Sequence, residues 1–303
     1  GLISLPIMLR YGYDKRLASG VIAASGTLAQ IIPPSLVLII MADQLGKSVG
    51  DMYSGALVPG LALTGLYIAF VALVAVGKPG WVPALPRAAR SLSGGKLLLR
   101  VLTTLLPPLF LIFLVLGTIF LGIATPTEGG AMGATGALIM AVARRRMSWE
   151  LLRQAMDTTA KLTTFVVFIL IGARVFSLTF YGVDGHRWVE QLLTGLPGGK
   201  IGFLIVVNII VFLLAFFLDF FELSFIVVPL LGPAAQALDI DLIWFGVLLA
   251  VNMQTSFMHP PFGFALFYLR SVAPASVRTT DIYWGAIPFV CLQIVMVALL
   301  IAF

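Results

Sequence analysis

The stretch that decides the fold is NMQTSFMHPPFG, residues 252–263, which lies inside an apolar run over residues 242–269. A run of this length and hydropathy is typical of a membrane-spanning segment. Its two prolines cannot continue a helix, because each lacks a backbone N–H and disfavours the helical conformation of the residue before it. We therefore expect the arriving helix to end near Asn252 or Met253 and a second helix to start at the prolines.

A broken helix at membrane depth indicates a binding site, because unsatisfied backbone groups are tolerated there only where they are buried in protein or line a wet cavity. The C-terminal end of the first half-helix offers carbonyl oxygens to a cation, and the N-terminal end of the second offers amide groups to an anion. Side-chain oxygens at the break come from Asn252, Gln254, Thr255 and Ser256. A proline kink without a ligand is the alternative interpretation.

The composition is that of a polytopic α-helical membrane protein. Of the 303 residues 60% are hydrophobic and 11% are charged, which is more apolar surface than a soluble fold of this length can bury. The net charge of +6 is concentrated in short loops between apolar runs, so it reports topology and not nucleic-acid binding. The single cysteine, Cys291, excludes an internal disulfide and disfavours a metal cluster.

Three further patterns mark the chain. A second double proline, in SGTLAQIIPPS over residues 25–35, interrupts the apolar run 17–42. The TPTE sequence that begins at Thr125 predicts a capping box at a helix start. Asp219 and Glu222 lie within the apolar run 201–231, where an acidic residue is costly and by default functional, although Glu222 could also be a packed hairpin residue.

Lysine and arginine are distributed unevenly when successive loops are assigned to alternate sides of the membrane and residues 201–231 are treated as a re-entrant hairpin. One side then holds 14 of them and the other 3, and the positive-inside rule places the 14 in the cytoplasm. The two interrupted spans then run in opposite directions. DMYSGAL at 51–57 also parallels DIYWGAI at 281–287, so we predict an inverted repeat, as in secondary transporters.

The predicted organisation follows from these patterns. Residues 1–77 form the C-terminal part of a first repeat, 78–100 a basic cytoplasmic loop, and 101–303 the second repeat. The second repeat is expected to hold scaffold helices over 101–200, a re-entrant hairpin over 201–236, a broken helix over 241–271 and a final span over 282–303. Since the first repeat lacks its opening elements, we expect further residues to precede Gly1.

Three motifs carry a resemblance to a known family. SGTLAQIIPPS (25–35), GIATPTEGGAMGATGAL (122–138) and QTSFMHPPFGFALFYLR (254–270) resemble the large membrane subunit of tripartite ATP-independent periplasmic (TRAP) transporters, the DctM-like family. The resemblance covers essentially the whole chain. It implies a sodium-coupled, elevator-type importer of organic acids in the bacterial inner membrane, with an inverted-repeat fold of re-entrant hairpins and broken helices. It also implies a small membrane subunit and a periplasmic substrate-binding protein as partners, with sodium and no organic cofactor.

The same resemblance implies the site residues. Sodium is expected at the two breaks and the hairpin tip, with the ligands Ser25, Gly26, Thr27, Pro33, Pro34, Asp219, Gln254, Thr255 and Pro260. The organic acid is expected to contact the restarting half-helices, at Ser35, Ser256, His259, Pro261, Phe262 and Gly263.

Two other functions remain open at this stage. A sodium-coupled divalent-anion or arsenite carrier that needs no binding protein uses the same broken-helix arrangement. A membrane-embedded enzyme could use Asp219, Glu222 and His259, but the sequence shows no His-rich, Cys-rich or Ser/Lys constellation for catalysis, so we do not expect an enzyme.

Overall fold

The computed structural model describes residues 3–86, 94–260 and 263–303. Residues 87–93 of the predicted basic loop and two predicted substrate contacts, Pro261 and Phe262, lie outside the described residues. The secondary structure of the described residues is helical, without strands. The α-helices are α1 Ser4–Arg10, α2 Lys15–Thr27, α3 Leu36–Gln44, α4 Val49–Gly77, α5 Gly94–Phe120, α6 Pro126–Ala143, α7 Trp149–Gly182, α8 Gly185–Thr194, α9 Gly199–Leu214, α10 Phe220–Glu222, α11 Val228–Ala237, α12 Leu242–Met253, α13 Phe264–Val272 and α14 Thr279–Ala302.

Short polar side chains start several of these helices. The Asp241 carboxylate accepts a hydrogen bond from the Trp244 N–H at 2.8 Å at the start of α12. At the start of α6 the Glu128 N–H donates to Thr125 Oγ1 at 3.3 Å, while the Thr125 N–H donates to Glu128 Oε2 at 2.7 Å. The capping box predicted from TPTE is therefore confirmed.

Five helices of the described residues are long and apolar enough to cross a membrane: Val49–Gly77, Gly94–Phe120, Trp149–Gly182, Phe220–Ala237 and Thr279–Ala302. The most apolar stretches of α5 and α7 are only 6% buried within the protein. Side chains that are so exposed and so apolar are stable in contact with lipid, whereas contact with water would be unfavourable. The predicted class, an all-α polytopic membrane protein, is confirmed.

The chain divides into two compact units, Gly1–Pro83 with Gly172–Phe303 and Ala84–Ile171. In the second unit α5 packs on α6, where the Arg144 guanidinium donates to the Thr103 carbonyl oxygen at 3.1 Å. In the first unit α2 and α14 cross with their backbones in contact. A Cβ added to Gly20 would lie 2.0 Å from the Gly285 carbonyl oxygen, so only glycine permits this crossing.

The first unit contains both helix breaks. After α2 the chain forms one 3₁₀ turn, Leu28–Gln30, and α3 begins beyond the prolines. After α12 it forms the 3₁₀ turn Gln254–Phe257, and α13 begins beyond the second pair of prolines. The prediction that α12 ends at Asn252 or Met253 is confirmed.

The expectation that the second half-helix starts at the prolines is wrong. The Gly263 N–H donates to the His259 carbonyl oxygen at 2.6 Å and closes a turn, and α13 begins only at Phe264. At the first break Ser35 is the N-cap, so α3 begins at Leu36, two residues after Pro34. There the capping residue takes the place next to the helix, and Pro33 and Pro34 stay in the connection.

Candidate functional site

The first break is held together by Ser35. Its hydroxyl donates to the Gln30 carbonyl oxygen and accepts from the Leu38 N–H at 3.2 Å. The Tyr53 hydroxyl, from α4, donates to the Ser35 carbonyl oxygen at 3.3 Å. Ser35 is 2% exposed, so these bonds replace water at an interrupted helix.

The second break carries two buried hydroxyl groups. Thr255 Oγ1 donates to the Asn252 carbonyl oxygen and Ser256 Oγ to the Met253 carbonyl oxygen, both at 2.7 Å. The Asn252 amide in turn donates to the carbonyl oxygen and to Oδ1 of Asn208 on α9, at 2.8 and 2.9 Å. The end of α12 is thereby fixed to α9.

Gln254 connects the two breaks. Its Nε2 donates to the carbonyl oxygen of Thr27, the last residue of α2, at 2.5 Å. Thr27 Oγ1 donates to the Ala24 carbonyl oxygen at 2.9 Å and lies 3.7 Å from Met258 Sδ. The tertiary structure therefore brings together side chains from the two separate stretches that the sequence singles out.

Asp219 is the N-cap of α10. Its Oδ1 accepts from the Glu222 N–H at 3.0 Å, and the Glu222 carboxylate accepts from the Asp219 N–H at 3.0 Å. The two acidic residues thus form a capping box, with the spacing of TPTE. Glu222 has a structural role here, and Asp219 as a sodium ligand stays a prediction.

His259 lies against an aromatic wall on α9. Its ring stacks on Phe216 with centroids 4.0 Å apart and meets Phe212 edge-on at 4.6 Å. The imidazole is 2% exposed and lies beside the Ala215 backbone, with neither nitrogen in hydrogen-bond geometry to a described atom. A buried ring whose nitrogens lack a well-formed hydrogen bond among the described residues, next to a helix break, is available to a polar ligand.

The other predicted site residues differ in their solvent exposure. Pro33 and Gly263 are buried with the breaks, and Pro260 is half-buried. Ser25, Gly26 and Pro34 are exposed. The Ser25 hydroxyl donates to the Ile22 carbonyl oxygen of its own helix at 3.2 Å.

Several buried polar residues that the sequence did not predict belong to this region. Gln293 on α14 places Nε2 3.8 Å from Met258 Sδ, and the Tyr67 hydroxyl on α4 lies beside Gln293 and Thr27 without hydrogen-bond geometry to either. Gln293 is 0% exposed. Gln293 could have been recognised in the sequence as a polar amide residue inside an otherwise apolar span, and so could Asn208.

The oxygens at the breaks suit an alkali cation. Thr27, Gln254 and Thr255 are each at most 2% exposed, and the two threonine hydroxyls donate their protons to helix carbonyls, which leaves oxygen lone pairs available. Gln254 Oε1 is buried and has no hydrogen-bond partner among the described residues. Neutral, hard oxygen donors of this kind bind a weakly held, hard cation rather than a transition metal.

Broken helices that meet inside a polytopic helical protein are a feature of secondary transporters. Comparison with known proteins gives the family. Residues 1–303 match the DctM component of the tripartite ATP-independent periplasmic transporters, and the chain belongs to this family. The resemblance found in the sequence motifs is therefore confirmed.

Three relatives illustrate the similarity. The chain is 31% identical to the C4-dicarboxylate TRAP transporter large permease protein DctM of Vibrio cholerae, over 96% of this chain and 67% of that protein. It is 30% identical to the protein of that name in Pseudomonas aeruginosa, over 99% and 68%. It is 27% identical to the sialic acid TRAP transporter permease protein SiaT of Haemophilus influenzae, over 100% and 48%. The chain thus spans about two thirds of the first two relatives and about half of the third.

Proposed function

We propose that this chain is the permease part of a sodium-coupled importer for an organic acid anion in the bacterial inner membrane. The observation that carries the proposal is the meeting of the two helix breaks, where the Gln254 amide contacts the Thr27 carbonyl oxygen at 2.5 Å among buried neutral oxygens. Such neutral oxygens bind a cation without the help of a charged protein group. The ion is therefore held weakly and can be released into the cell.

The substrate class follows from the relatives and the second break. The matched relatives are described as transporters of C4-dicarboxylates and of sialic acid, which are organic acids. In this chain, the imidazole of His259 offers an N–H donor to a carboxylate at the second break, since neither of its nitrogens has a hydrogen-bond partner among the described residues. Backbone N–H groups at the start of α13 add a positive dipole, which favours an anion.

The proposed mechanism is an elevator movement of the broken helices relative to scaffold helices. The two breaks support it, and so does the parallel between DMYSGAL and DIYWGAI, since Asp51 is the third residue of α4 and Asp281 the third residue of α14. Equivalent helix starts after equivalent breaks are what an inverted repeat would produce. The family further suggests two partners, a small membrane subunit and a periplasmic substrate-binding protein.

The test is uptake of a labelled organic acid into proteoliposomes that contain the complete permease and its small membrane subunit. We expect uptake to require both an inward sodium gradient and the binding protein. Equal uptake with a potassium gradient of the same size would overturn sodium coupling. Full uptake without any binding protein would instead favour a carrier of the divalent-anion or arsenite type.

A further inference from the structure

Gln254 makes an unusual contact for a residue expected to bind a cation through oxygen. Its side chain is 1% exposed and points from the second break to the Thr27 carbonyl oxygen, 227 residues away along the chain. Thr27 is in the last turn of α2, where carbonyl groups lack their usual helical partners. The contact therefore lies on one of the oxygens that the first break would offer to a cation.

The contact is made by the nitrogen end of the amide. With 2.5 Å between Gln254 Nε2 and the Thr27 oxygen, the opposite orientation would place two oxygen atoms at that separation, which is repulsive. Gln254 Oε1 remains buried, and none of the residues that the structure describes bonds to it. The side chain thus presents the partial positive charge of an N–H group to the carbonyl.

A cation and this N–H group act on the same oxygen. A carbonyl oxygen has two lone pairs, but the partial positive charge of the N–H group opposes an ion on the same oxygen, and more so in a buried environment. Sodium should therefore bind the Thr27 oxygen more weakly while the Gln254 amide donates to it. In this contact the N–H end of the amide acts against the ion.

We propose that Gln254 is a positioning residue that competes with sodium for the Thr27 carbonyl oxygen and so links the two helix breaks. The inference rests on the proposed sodium coupling. Because Gln254 belongs to the second break, sodium binding at the first break releases a segment of the second. Such a link is reciprocal, so events at the second break also change sodium affinity at the first.

This role predicts the opposite sign from a ligand role. Replacement of a sodium ligand weakens sodium binding, whereas replacement of a competitor strengthens it. Gln254→Met keeps the length of the side chain and removes the N–H donor. We expect its half-maximal sodium concentration to fall several-fold, and we expect a larger sodium-induced rise in Tm than in the wild type, because the sodium-free protein has lost the bond to Thr27.

The control is Gln154→Met. The Gln154 amide also donates to an oxygen, Glu150 Oε1 at 3.3 Å, but it lies on an exposed part of α7 far from either break along the chain, so the substitution removes the same chemical group outside the proposed site. Its sodium dependence should equal that of the wild type. Gln254→Leu provides a second test if the methionine variant is poorly folded.

The measurement is a sodium titration of the purified complete permease in which Tm is recorded at each sodium concentration. Choline chloride replaces sodium chloride so that the ionic strength stays constant. A lower half-maximal sodium concentration in the Gln254 variants, with Gln154→Met unchanged, supports the inference. An equal or higher concentration in the Gln254 variants overturns it. If the wild type shows no response to sodium, the proposed sodium coupling itself is wrong, and this result is distinct from the other two.

Discussion

At the scale of single residues, Thr255 is the best test of the second break. It is 0% exposed, and its hydroxyl donates to the Asn252 carbonyl oxygen at 2.7 Å, so its lone pairs face the buried surroundings. Thr255→Ala should leave the fold intact and raise the sodium concentration for half-maximal uptake several-fold, because an oxygen ligand is lost. The measurement is sodium-dependent uptake in proteoliposomes.

Thr135→Ala is the control for this substitution. The Thr135 hydroxyl makes the same kind of bond, to the Ala131 carbonyl oxygen at 2.8 Å, on an exposed part of α6 far from either break along the chain. Its sodium dependence should be that of the wild type. A sodium dependence in Thr255→Ala that matches Thr135→Ala would remove Thr255 from the proposed site.

At the scale of elements, the capping box of α6 makes a local contribution to stability. The Thr125 side chain accepts from the Glu128 N–H and so satisfies one of the free donors at the helix start. Thr125→Ala should cost about 1 kcal/mol of stability with transport retained. Thermal unfolding in detergent measures the cost, with Thr127→Ala, exposed in the first turn of α6, as the control. Loss of transport in a well-folded Thr125→Ala protein would contradict the structural role.

The crossing of α2 and α14 is expected to affect stability more than the capping box does. Gly20→Ala would place a methyl group 2.0 Å from the Gly285 carbonyl oxygen, so the two helices must separate. We expect a loss of roughly 1–3 kcal/mol or more, seen as a lower Tm and reduced yield of folded protein. Gly65→Ala is the control, because its methyl group would meet nothing within 4 Å and alanine favours helix. Equal stability of both variants would show that the helices do not cross at Gly20.

At the scale of the whole molecule, the charge distribution predicts which side of the membrane each loop faces. With 14 lysines and arginines assigned to one side and 3 to the other, residues 87–96 and 144–146 should be cytoplasmic and Gly185 periplasmic. Gly185 itself is a poor labelling site, because a Cβ there would lie 2.6 Å from the Phe180 ring. Val183, which is 73% exposed, is the better position two residues away.

The labelling experiment uses single cysteines in a Cys291→Ser background, since Cys291 is a free thiol. Val183→Cys should react with a membrane-impermeant maleimide in intact cells, and Arg146→Cys only after the membrane is opened. Reaction of Val183→Cys exclusively from the cytoplasm would rule out the inverted-repeat topology.

Sequence alone determined the features that depend on neighbouring residues. The end of α12 and the capping box at Thr125 follow from interactions within a few residues, because proline removes a backbone donor and short polar side chains bond the next turn. The capping box of Asp219 and Glu222 was readable from the same spacing and was overlooked in favour of a membrane-depth acidic site. The helical membrane class followed from composition, since a chain with this much apolar surface is stable only in a lipid bilayer.

Only the tertiary structure decided which of these features meet. The bond from Gln254 to Thr27 and the stacking of His259 on Phe216 join residues on different elements. The position of each depends on how helices pack, and packing depends on close approaches such as Gly20 on Gly285, which no local pattern specifies. Sequence reasoning placed oxygens at both breaks, but whether an amide presents its oxygen or its N–H group to a carbonyl is set by the side chains and backbone that surround it.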